Sequence, residues 1–168
     1  MLVRQIIRFM LMLALAALQV LVLNHIHLFG YATPMLYVAF LLRFPLNASR
    51  IGVLLWAFLM GLTVDIGSGT PGMGAAATTL AAMFCHPLLR VMSPRDAADD
   101  IIATPQSMGH VSHMYYVAIL VVVHHAAFFL LESFTYHHPL SLLISFIASA
   151  LLSIVLIVIV ETLRMPKA

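Results

Sequence analysis

A single acid, Asp65, lies in the run Gly61-Leu62-Thr63-Val64-Asp65-Ile66-Gly67-Ser68-Gly69-Thr70-Pro71-Gly72-Met73-Gly74, between two strongly apolar stretches. The run holds five of the eight glycines. An acid at the mouth of an apolar helix is costly unless something uses it. Two uses are compatible with the spacing. Asp65 can cap the helix that begins after Gly72, where a carboxylate complements the helix dipole. It can also belong to a polar surface for a partner or ligand, with Gly61, Gly67, Gly69, Pro71, Gly72 and Gly74 forming a tight junction around it.

Histidines are the next group with chemistry to offer. His25, His27, His137 and His138 flank apolar segments, with Glu132 near the second pair. Imidazole and carboxylate are ordinary zinc ligands, but these spacings match no established zinc motif, and neither a metal nor a cofactor is expected. His124 and His125 stand inside an apolar segment. His125 and Glu132 are seven residues apart and so share a helix face, yet Ala126 to Leu131 offer no polar group for a proton relay. A histidine hydrogen-bonded to a neighbouring helix is the simpler expectation. Ser145, Ser149 and Ser153 recur every four residues and read as a polar stripe that joins helices. Cys85 is the one cysteine and reads as a small core residue. Enzyme signatures are missing: there is no Gly-x-Ser-x-Gly, no His-Glu-x-x-His and no phosphate-binding loop.

The elements that hold these residues follow from composition. Of the 168 residues 63% are hydrophobic and only 8% charged, with a mean hydropathy of +1.08. A water-soluble domain carries about a quarter charged residues, so an all-α integral membrane protein with a single transmembrane domain is expected. A net charge of +2 gives no reason to expect nucleic acid as a partner; membrane lipid is the expected surrounding.

A spanning helix needs about 20 apolar residues. Spans are expected at 6–24, 73–91, 111–132 and 139–162, with two shorter ones at 28–43 and 51–66. The two short pieces form either two spans or one re-entrant hairpin. A hairpin would place Arg43 and Arg50 deep in the bilayer, at about 3 kcal/mol each. With six spans, all eight basic residues (Arg4, Arg8, Arg43, Arg50, Arg90, Arg95, Arg164 and Lys167) fall on one side. That side is then the cytoplasm, with both termini in it. Pro34 suits the first turn of a helical second span. The longest loop follows the fourth span, and Ser93 and Asp96 are placed to cap a short interfacial helix in it.

Leu18-Gln19-Val20-Leu21-Val22-Leu23-Asn24, Gly30-Tyr31-Ala32-Thr33-Pro34, Gly61 to Asp65 and Thr70-Pro71-Gly72-Met73-Gly74-Ala75 resemble motifs of the rod shape-determining protein MreD family. The resemblance covers about residues 1–90; beyond it only length, hydropathy and span count agree. It implies a non-enzymatic subunit of the cell-elongation machinery in the bacterial inner membrane. The implied partner is an MreC-like single-span protein, and through it an MreB-like filament and the peptidoglycan synthases. That family is also similar in fold to the substrate-binding subunits of energy-coupling-factor transporters. The alternative function is therefore a vitamin-type, small-molecule-binding membrane subunit.

Overall fold

A computed structural model describes residues 2–26, 32–98, 100–134 and 139–164. The chain is all-helical, with α1 Leu2–Leu21, α2 Arg50–Ser68, α3 Met73–Met92, α4 Pro105–Met108, α5 His110–Ser133 and α6 Pro139–Leu163. A 3-10 turn at Leu23–His25 extends α1, and a 3-10 helix occupies Leu36–Arg43. Five helices among the described residues, all but α4, are long and apolar enough to cross a membrane. This is the composition of a multi-pass membrane protein.

Each long helix buries a stripe at helical spacing: Met12, Ala16 and Gln19 on α1; Val53, Ala57, Met60, Gly61 and Val64 on α2; His113, Tyr116, Val117, Leu120, Val121 and His124 on α5. The buried face of α3 is built from Gly74, Ala75, Thr78, Ala81, Ala82 and Cys85. Lipid tails are as apolar as a protein core, so helices in a bilayer associate through close packing, which small residues permit. That explains why α3 packs extensively against both α2 and α5. Cys85 is buried and free, a small residue in that packed face.

Two expectations for the spans change. The third is not short: α2 runs for 19 residues, about 28 Å at 1.5 Å per residue. Ser49 starts it by accepting from the Gly52 N–H at 3.2 Å. The second is not an α-helix. Residues 32–35 lie outside any helix, and the eight residues Leu36–Arg43 form the 3-10 helix instead. Pro34 therefore starts no helical turn; its carbonyl accepts from Gln19 Nε2 at 2.9 Å.

The 3-10 helix is the centre of the molecule, and all five long helices contact it. Leu36 to Leu42 are buried on every side, with Phe40 and Leu41 fully enclosed. Irregular backbone at membrane depth is tolerated only where protein surrounds it and satisfies its polar groups. Side chains from α1 and α6 do that. Gln19 Oε1 accepts from the Leu36 N–H at 3.0 Å, Ser149 Oγ from the Thr33 N–H at 3.0 Å, and Ser153 Oγ from the Met35 N–H at 2.8 Å. The serine stripe thus holds an irregular backbone and, through Ser153 and His125 Nε2 at 3.2 Å, also joins α6 to α5.

α1 and α2 run parallel. The start of α1 lies beside the start of α2, where Arg4, Arg8, Gly52 and Trp56 line one cleft. Their ends also meet: Gly67 faces Val20, and Asn24 Nδ2 donates to Ser68 Oγ at 2.6 Å. The segment 32–43 therefore carries the chain from one end of the bundle back to the other. Four non-helical residues and eight 3-10 residues reach at most about 29 Å. The described arginines gather at the end where it arrives, and there Arg43 pairs with the buried Glu161 of α6.

The α3–α5 connection also differs from expectation. Ser93 ends α3, donating its hydroxyl to the Leu89 carbonyl at 2.6 Å. The short helix comes later, at Pro105–Met108, where Thr104 and Ser107 make a reciprocal capping box. Asp96 caps nothing; it lies in an exposed turn.

Candidate functional site

The Gly/Asp run forms the α2–α3 junction. Asp65 is the last buried residue of α2, and its carboxylate reaches across to the start of α3. Oδ1 accepts from the Gly74 N–H at 2.8 Å and from the Thr70 hydroxyl at 2.8 Å; Oδ2 accepts from the Ala75 N–H at 2.9 Å. The N-cap position itself is Gly72, which has no side chain to offer. A neighbouring helix supplies the cap in its place, against the positive end of the dipole.

The glycines divide into two groups. Gly69 and Gly72 have φ of 68° and 82°, left-handed values that let the chain leave α2 and enter α3 within a short turn through the exposed Pro71. Gly61, Gly67 and Gly74 permit close approach. A Cβ at Gly61 would lie 2.5 Å from Ala75 Cα, one at Gly67 2.6 Å from Val20, and one at Gly74 2.7 Å from Asp65 Oδ1. Gly61 thus sets backbone against backbone.

His124 and His125 face the bundle interior and are fully buried. His124 Nε2 is 3.0 Å from the Tyr37 hydroxyl, on the central 3-10 helix, and its Nδ1 has no partner. His125 Nδ1 donates to the Val121 carbonyl at 2.9 Å, while Nε2 lies 3.2 Å from Ser153 Oγ. One turn further along, Phe128 stacks on His124 and Phe129 on His125. Those rings separate the histidines from Glu132, so the three residues do not form one site.

Glu132 belongs instead to a cavity of about 350 Å³ at the end of the bundle away from the arginines. Its wall includes Gln19, Asn24, Tyr37, Ser68, Thr70 and Glu132, with Phe128 and Phe129 as apolar surface. A chain of amides orders one side: Gln19 Nε2 donates to Asn24 Oδ1 at 2.9 Å, and Asn24 donates to Ser68. Thr70 links the cavity to the Asp65 junction. The arrangement offers hydrogen-bond donors and acceptors and one carboxylate to a small molecule. Gln19, Tyr37 and Ser68 were not expected as a group; a lone glutamine inside an apolar span was the signal for the first.

Among the described residues no three His, Cys, Asp or Glu side chains come together as metal ligands would. His25 is exposed, whereas His27, His137 and His138 lie outside the described residues. Compared with protein-family models, with curated proteins and with solved structures, the chain matches none.

Proposed function

We propose that this protein is a non-enzymatic scaffold subunit of the bacterial cell-elongation machinery, of the MreD type, resident in the inner membrane. The observation that carries the reading is the α2–α3 junction. The segment with the strongest family resemblance directs its acid and two of its glycines, Gly61 and Gly74, into the close contact of α2 with α3, a structural use rather than a catalytic one. Six crossings with both termini in the cytoplasm fit the reading as well. The parallel course of α1 and α2 and the return segment 32–43 support the sixth crossing, and the gathered arginines support the orientation.

The partner in this reading is an MreC-like single-span protein, which links the subunit to an MreB-like filament and the peptidoglycan synthases. Affinity purification in mild detergent recovers such a protein in comparable amounts. Gly61→Leu, which forces α2 and α3 apart, lowers that recovery more than Asp65→Asn, which keeps an acceptor in place. Recovery of the protein alone, or with an ATP-binding cassette pair, would reject the scaffold reading.

The cavity beside Glu132 favours a second reading, a substrate-binding subunit of a small-molecule transporter. Concave sites with a few convergent polar groups are the usual form of such sites. A vitamin-sized compound released on denaturing the purified protein would establish it over the first.

A further inference from the structure

A second cleft, of about 510 Å³, opens at the opposite end of the bundle, between the start of α1, the start of α2 and the loop that joins the 3-10 helix to α2. Arg4 and Arg8 line it from one side, one helical turn apart, and Phe44, Ser49 and Trp56 line it from the other. Its size falls in the range of small-ligand sites. Among the described residues neither arginine forms an ion pair, and the lining contains no acid. The two positive charges are therefore brought together without a neutralising partner from this chain.

The cleft is also built to hold them. Arg8 Cζ lies 5.1 Å from the ring centroid of the buried Phe44, a cation–π contact that keeps the guanidinium against the wall. Trp56 is half-buried in the same wall, and an indole favours the headgroup level of a bilayer. Leu11 and Leu15 continue the Arg4–Arg8 face of α1 toward the membrane centre. A guanidinium pair at the headgroup level, above an apolar helix face, matches a phosphate carried on an acyl chain.

We propose that this cleft binds the phosphate of an anionic glycerophospholipid in the leaflet on the arginine side. The inference is independent of the scaffold reading, because it needs no protein partner. It is tested on the full chain in neutral detergent by native mass spectrometry, with phosphatidylglycerol, phosphatidylcholine and glycerol 1-phosphate as probes. Phosphatidylglycerol is retained more strongly than phosphatidylcholine. Arg4→Gln and Arg8→Gln each weaken its retention about five-fold, the factor expected for one basic residue at a lipid surface. Arg8→Lys keeps most of the binding, and Arg95→Gln, in the loop at the same end, leaves it unchanged.

Arg4 is exposed, so its variant reports on binding rather than folding. Undiminished retention in the Arg4→Gln/Arg8→Gln double variant would overturn the proposal, as would an equal loss in Arg95→Gln. Displacement of the lipid by an equal concentration of glycerol 1-phosphate would assign the cleft to a soluble phosphate and overturn the lipid assignment.

Discussion

Asp65 and His124 are both buried polar residues, and they differ in how far their needs are met. Asp65 receives three hydrogen bonds, two of them from backbone N–H groups at the start of α3. Asp65→Ala strands those donors and is expected to lower stability by about 3 kcal/mol; Asp65→Asn, which keeps one acceptor oxygen, costs about half that. Denaturant titration in detergent micelles checks the order, and equal losses would contradict it. The His124 ring has one hydrogen-bond partner, Tyr37. Tyr37→Phe removes it and leaves a fully buried imidazole without a bond, at about 2 kcal/mol. Adding His124→Phe then costs nothing further or restores stability, because both polar groups leave together. A double variant less stable than Tyr37→Phe by the full cost of His124→Phe would show the two residues to be independent.

Among the elements, the five long helices were legible from their apolar lengths, and the end they share from their arginines. The central 3-10 helix was not. Leu36 to Leu42 are apolar but for the Tyr37 hydroxyl, and a short continuous apolar run does not reveal its own backbone geometry. The groups that make the irregular geometry tolerable lie far away in sequence: Ser149 and Ser153 are more than 110 residues from the backbone they satisfy. The capping role of Asp65 was legible as one of two options, since an acid before a glycine turn and a new helix invites it. Of the cavity only Glu132 was legible, because α1, α2 and α5 must pack before its wall exists. Gln19 tests the account of the 3-10 helix. Gln19→Leu leaves the Pro34 carbonyl and the Leu36 N–H without their side-chain partner and costs about 3 kcal/mol. Ser145→Ala, at the member of the serine stripe that is not fully buried, changes stability by less than about 0.5 kcal/mol. Thermal unfolding followed by circular dichroism in detergent distinguishes them.

At the scale of the whole molecule, the proposed topology rests on the return path of the chain between α1 and α2. With Cys85 replaced by alanine, single cysteines at His25 and Asn47 report on it, since both positions are exposed. A membrane-impermeant thiol reagent added to intact cells labels His25→Cys, and it labels Asn47→Cys only after permeabilisation. Labelling of both from the same side would remove the crossing between them. The same path has a consequence for biogenesis. A nascent chain delivers its segments to the bilayer in order, and residues 32–43 arrive before α2, α3, α5 and α6. Two of the hydroxyls that satisfy their backbone belong to α6 and are synthesised more than 110 residues later. The central segment therefore cannot settle where it ends up while translation is under way. It must wait at the edge of the lipid, or in the insertion machinery, until α6 closes around it.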